Sequence, residues 1–162
     1  MGKMTKNSTG NFWPLAQRPG FLIRRLHQIH VALFHKRCGA FEITPLQYSL
    51  LSAIAERGTA DQTTLAADVA LDRTTTTGAL RRLQARNLVM RSVDRLDRRA
   101  QICQLTKSGA QLLRQIESSA RAAHRETLVN LSEADQKCFV ALMQRIVKLQ
   151  SEQNDHGAAP SR

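Results

Sequence analysis

Aromatic side chains are scarce: Phe, Trp and Tyr make up 4% of the 162 residues. So few rings argue against a partner gripped by stacking, such as RNA or single-stranded DNA. Acidic residues are also in short supply, 13 against 24 lysines and arginines, for a formal net charge of +11 and an isoelectric point near 10.8. That imbalance exceeds what solubility requires and points to a polyanion, nucleic acid before membrane. No apolar run approaches the roughly 20 residues of a membrane span. The opening MGKMTKNSTGNFWPLAQRPG lacks the apolar core of a signal peptide, and Met1-Gly2 alone is too little to indicate lipidation. Three cysteines, Cys38, Cys103 and Cys138, show no paired spacing, which fits a reducing cytoplasm better than a disulfide framework. A glycine-rich phosphate loop, a nucleophile elbow and a metal-ligand set are all missing, so neither an enzyme nor a cofactor or metal is expected.

What remains is a chain with 42% apolar residues, long enough for one cored domain with helical extensions. Leu22, Leu26, Ile29 and Leu33 form a helical stripe from Phe21 to about Cys38, widened by Ile23, Val31 and Phe34. Pro19-Gly20 ends the leader, and Gly39 is expected to stop this helix. Thr44-Pro45 predicts a capped restart, carried to Gly58 by Leu46, Leu50, Leu51 and Ile54. A short helix opens at Asp61 or Gln62. Asp72 then caps RTTTTGALRRLQARN, in which Leu80 and Leu83 point inward. Two short helices with a tight junction predict a helix-turn-helix. Leu88-Val89-Met90 and Ile102-Cys103-Gln104-Leu105 read as paired strands around the basic loop RSVDRLDRRAQ, the wing of a winged helix-turn-helix. Thr106 caps a long helix with Leu112, Leu113, Ile116, Ala120 and Ala123 on its apolar stripe. Ser132 caps a last one through Phe139, Leu142, Met143, Ile146 and Leu149. The fold expected is therefore mainly α with a small β wing. The terminal helices have no large domain to cover, so they are expected to pair with the first helix and with a second copy of the chain.

Eight arginines stand against three aspartates between Leu71 and Arg99, nearly half of the net charge in under a fifth of the length. They fall on the two elements that would face DNA; a merely solvated basic face is the alternative. Thr76 shares the inward face of Leu80. Arg73, Thr74, Thr75 and Thr77 then remain near the exposed start of the helix, where base edges are reached. Arg73, Thr75 and Thr77 are favoured for the major groove. Arg81, Arg82 and Arg86 are placed on phosphate or in solvent. Gly78 either admits the DNA backbone or is a tolerated defect that costs about 1 kcal/mol of helix stability.

The order LAADVALDRTTTTGALRRLQARNLVMR, then DRLDRRAQICQLTKSG, resembles the MarR family of bacterial transcriptional regulators. The strongest match is Asp97-Arg98-Arg99 followed by Leu105-Thr106 and Gly109. The similarity runs from about Gly20 to Leu149, and RPGFLIRRLHQIHVALF further resembles members that control aromatic-acid breakdown. The resemblance implies a cytoplasmic homodimer on a double-stranded operator, in most members as a repressor, regulated by a small molecule or an oxidant. It implies dimerisation helices at 19–42 and 107–150, a DNA-binding lobe at 43–106, a leader at 1–18 and a tail at 151–162. It makes Arg99 the minor-groove residue of the wing, oriented by Asp97, with Arg95 and Arg98 on adjacent phosphates; an Asp97–Arg99 salt bridge that only fixes the loop is the alternative. The effector, an aromatic carboxylic acid or its coenzyme A thioester, is expected between the dimer helices and the lobe, against Arg24, Arg25, His27, His30, Phe34 and Tyr48. Satisfied or exposed histidines, or a metal pair at His27 and His30, are the other readings. Two alternatives stay open. One is oxidant sensing by Cys38, whose pKa Lys36 and Arg37 would lower. The other is an effector-independent architectural DNA-binding protein.

Overall fold

A computed structural model of the chain describes residues 12–93 and 101–157. The chain divides into two compact units, Met1–His124 and Arg125–Arg162. The elements of the first, in order, are α1 (Pro19–Cys38), α2 (Pro45–Arg57), β1 (Thr59–Asp61), α3 (Gln62–Asp68), α4 (Arg73–Ala85), β2 (Val89–Val93), β3 (Gln101–Leu105) and α5 (Lys107–Thr127), whose last turn passes into the second unit; α6 (Glu133–Gly157) follows there. Among the described residues no helix is long and apolar enough to cross a membrane.

Local chemistry sets most of the boundaries. α1 starts at Pro19, two residues ahead of the expected Phe21, because proline at the first helical position lacks only an N–H that would be unpaired there anyway. α1 ends at Cys38 with Gly39 as its C-cap, as expected, but Gly39 makes no left-handed turn. It stays right-handed (φ −56°) and enters a short 3-10 turn, and the left-handed residue is Glu42 (φ 52°). α2 opens in a full capping box: Gln47 N–H donates to Thr44 Oγ1 at 3.2 Å, and Thr44 N–H donates to Gln47 Oε1 at 3.0 Å. Asp61 caps α3 through the Thr63 and Thr64 amides at 2.7 and 3.0 Å.

The strands form one antiparallel sheet in the order β1-β3-β2. Arg91 sits opposite Cys103, and Cys103 opposite Ala60. β1 goes unannounced in the sequence, since three residues are too few to show a two-residue alternation. The core is built from Phe34 and Cys38 of α1, Leu50, Leu51 and Ile54 of α2, Leu65 of α3, Ala79, Leu80 and Leu83 of α4, Cys103 of β3, and Ile116, Ala120 and Ala123 of α5. In the second unit, Ser132 caps α6 by accepting from Asp135 N–H at 3.2 Å. Leu142, Met143, Ile146 and Val147 are exposed in the single chain, and so is Cys138.

The start of α5 is the tightest junction. Thr106 N–H donates to the Leu88 carbonyl at 3.1 Å. Its hydroxyl donates to the Asn87 carbonyl at 2.7 Å and accepts from Gly109 N–H at 3.0 Å. A Cβ at position 109 would lie 2.0 Å from the Leu88 carbonyl oxygen. Glycine is required here by contact, although in an open helix alanine would be about 1 kcal/mol better. Gly109→Ala is therefore expected to destabilise the chain by about 1–3 kcal/mol, seen as a lower urea midpoint at unchanged slope. A midpoint that rises would show that the Leu88 carbonyl yields.

Candidate functional site

Asp72 fixes the start of α4. Its carboxylate accepts from Thr75 N–H at 2.8 Å and from the Thr75 hydroxyl at 2.6 Å. These donors hold its pKa below the usual carboxylate range, the hydroxyl contributing most. Arg73, Thr74 and Thr75 are exposed at this helix start, and Arg81 and Arg82 are exposed further along. Thr76 is fully buried, as its place one turn before Leu80 predicts, and its hydroxyl has no hydrogen-bond partner. Thr77 is half-buried and turned into the protein: its hydroxyl donates to the Arg73 carbonyl at 2.6 Å and accepts from the Gln62 carboxamide. At Gly78 an added Cβ would meet Arg82 Nη1 at 3.6 Å, an ordinary contact, so among the described residues none requires glycine there.

Two arginines of the basic cluster serve the fold. Arg86, expected on phosphate or in solvent, donates to the carbonyls of Glu42 and Phe41 at 2.5 and 3.2 Å, tying the end of α4 to the α1–α2 turn. Arg91 Nη2 donates to Gln62 Oε1 at 3.0 Å and to Gln101 Oε1 at 2.7 Å. Arg95, Asp97, Arg98 and Arg99 lie outside the described residues.

A second cluster gathers where α1, α2 and α5 meet. The rings of Tyr48 and Phe34 are 5.6 Å apart, those of Phe34 and His30 6.2 Å, and those of His30 and His124 stack at 4.6 Å. The Tyr48 hydroxyl donates to Glu117 Oε2 at 2.8 Å, and Arg121 Nε donates to Glu117 Oε1 at 2.6 Å. Burial and the Glu117 carboxylate push the Tyr48 phenol up to about 12. Arg121 first, then Tyr48, hold the Glu117 carboxyl down. Tyr48 also lines, with Ser52, Glu56, Arg57 and Asp68, a cleft of about 440 Å³.

Three of the six expected effector residues, His30, Phe34 and Tyr48, therefore meet. Phe34 is fully buried and belongs to the core. Arg24, Arg25 and His27 are exposed on α1. At 3.6 residues per turn, Arg24 and Arg25 stand roughly 120° and 140° around the helix from His30, and His27 only roughly 60°. The sequence reading missed Glu117, Arg121 and His124; the local signal was the four-residue spacing of Glu117 and Arg121. Among the described residues, no group of three or more histidine, cysteine or acidic side chains could hold a metal. Cys38 is fully buried. Burial pushes its thiol pKa up, opposite to the effect expected of Lys36 and Arg37, which weakens the oxidant-sensing alternative.

A helix-turn-helix followed by an antiparallel wing, with arginines and threonines at the exposed start of the second helix, defines a winged-helix DNA-binding protein. Residues 43–100 match the model of the MarR family. The transcriptional repressor NicR of Pseudomonas putida is 31% identical over 151 residues, covering 89% of this chain and 96% of NicR. The chain belongs to the MarR family and is a DNA-binding transcriptional regulator, not an enzyme. Among solved structures, BpsR of Bordetella bronchiseptica superposes with a TM-score of 0.80 at 28% identity, covering 85% of this chain and 98% of BpsR; 6-hydroxynicotinic acid regulates its DNA binding. PcaV of Streptomyces coelicolor, solved with its natural ligand, reaches 0.76 at 30% identity, covering 86% and 98%.

The histidine pair gives a pH signature. Burial, then the charges of His124 and His27, hold the His30 pKa below 6.5. The unfolded chain takes up this proton more readily, so the contribution is present above 6.5 and is lost as pH falls through the lowered folded value. His30→Gln is expected to flatten the fall of the thermal midpoint between pH 7 and 5. A pH profile identical to wild type would show that His30 titrates normally.

Proposed function

We propose that the chain is a cytoplasmic homodimeric repressor whose two winged helices hold successive major grooves of a pseudo-palindromic operator, roughly 34–36 Å apart. A monocyclic aromatic acid, free or as its coenzyme A thioester, releases it. Arg73, Thr74 and Thr75 read base edges, with Thr77 set behind them; Arg81 and Arg82 neutralise phosphate. Arg99, oriented by Asp97, enters the minor groove, with Arg95 and Arg98 on the flanking phosphates. The dimer is formed by 19–42 and 107–150 around a lobe at 43–106.

One observation carries the effector reading. The Tyr48–Phe34–His30–His124 row ends beside the Tyr48–Glu117–Arg121 hydrogen bonds, so an apolar ring surface and polar groups of both signs share one place. A guanidinium has five N–H donors, and Glu117 accepts from the Nε of Arg121. Arg121 supplies the cationic side for a carboxylate, His30 offers a ring N–H beside it, and the Tyr48–Glu117 pair is placed to exchange partners with a ring hydroxyl. The ligand must bind the released arrangement of the lobes better than the DNA-bound one, since equal affinity shifts nothing. The similarity to BpsR, whose DNA binding 6-hydroxynicotinic acid regulates, supports this ligand class.

The test is displacement of labelled operator by free aromatic acids and their thioesters. A coupling of ~1–3 kcal/mol predicts a 5- to 150-fold loss of operator affinity at saturation, and no loss with any of them would overturn the ligand class. Arg99→Ala is expected to weaken operator binding about tenfold, within the roughly 1–3 kcal/mol of a specific contact, while sedimentation still shows a dimer. Unchanged affinity would remove Arg99 from the interface.

A further inference from the structure

A line of hydrogen bonds runs from the wing to the recognition helix through one side chain that the charge pattern does not mark. Gln62 is the first residue of α3, half-buried. Its carbonyl oxygen accepts from Arg91 Nη2 at 3.0 Å, and Arg91 stands in the middle of β2. The same Nη2 donates to Gln101 Oε1 at 2.7 Å, on the first residue of β3, so one guanidinium spans both wing strands and Gln62. The amide nitrogen of Gln62 donates to Thr77 Oγ1 on α4, and the Thr77 hydroxyl donates to the Arg73 carbonyl at 2.6 Å. Arg91 also lies against the Cys103 thiol, its cross-strand partner, and its Nη2 contacts tie the guanidinium to Gln62 and Gln101.

We infer that Gln62 is a positioning residue that couples the wing to the recognition helix α4, and so sets the placement of Arg73 and its threonine neighbours relative to the two wing strands. This rests on the reading of α4 and the wing as the two DNA-contacting elements. The physics is of two kinds. β1 grips β3 at the base of the wing, and β2, on the far edge of the sheet, is tied to α3 through Arg91. A carboxamide carries donor and acceptor on one rigid plane, so it can receive the wing's cation on one edge and give a hydrogen bond to the helix on the other. The near-isosteric methionine offers neither. Gln62 also carries no charge, so its contribution is to geometry and not to counterion release.

The experiment uses the full-length protein. A duplex is enriched by wild-type protein from a random pool, and a scrambled duplex of the same composition serves as its control. Gln62→Met is expected to lower affinity for the enriched duplex about tenfold, with affinity for the scrambled duplex within about twofold of wild type and an unchanged salt slope. Thr77→Val and Arg91→Met, at residues joined through Gln62, are expected to be non-additive in the wild-type background and additive in Gln62→Met. The cycle holds the inference to account even if Gln62→Met loses stability: additive Thr77→Val and Arg91→Met effects in otherwise wild-type protein would overturn it. So would equal losses on both duplexes, or a salt slope reduced by about one, which would make Gln62 a phosphate-linked residue. A wild-type protein without preference for any duplex would sink the reading of α4 and the wing, and the inference with it; a preference that Gln62→Met leaves intact would sink the inference alone.

Discussion

The Leu88 carbonyl receives the Thr106 N–H and occupies the space where any side chain at position 109 would have to stand. Three elements are held at this point: the end of the recognition helix with its Asn87 turn, the paired strands of the wing, and the first turn of α5. The Thr106 hydroxyl completes the junction, giving its proton to Asn87 and accepting from Gly109. The contact is backbone on backbone, so it leaves little freedom in how the wing leaves the helix. On the α4 and wing side of the lobe, Arg91 ties the strands to Gln62, and Gln62 meets Thr77.

Charge on that side is divided by use. Arg73, Arg81 and Arg82 remain exposed, where a cation meets phosphate or a base edge with little desolvation. Arg86 and Arg91 face carbonyl and carboxamide oxygens of their own chain. The threonines divide in the same way. Thr75 closes the Asp72 cap, Thr76 fills the core, and Thr77 faces Gln62. Three successive threonines thus take different environments because each step turns the helix by about 100°.

The α1–α2–α5 cluster stands on the same core. Phe34 is part of that core and also touches the rings of Tyr48 and His30. A ligand that displaced Tyr48 would act on a residue already packed against the lobe. Arg86 joins the α1–α2 turn to the end of α4.

How much was legible from the sequence follows from the range of each signal. The apolar stripes, the caps at Thr44, Asp72, Thr106 and Ser132, and the strand–loop–strand after a helix are written within a few neighbouring residues, and they were enough to define a winged helix-turn-helix. What only the tertiary structure decided lies between residues far apart in the chain: Tyr48 with Glu117 at a separation of 69, Arg86 with Glu42 at 44, Arg91 with Gln62 at 29. β1 exists because β3 offers it an edge, and Gly109 is required because Leu88 comes back to meet it. Propensity and periodicity act along the chain, whereas these partners are chosen by packing, which brings together side chains that carry no mark of one another in the sequence.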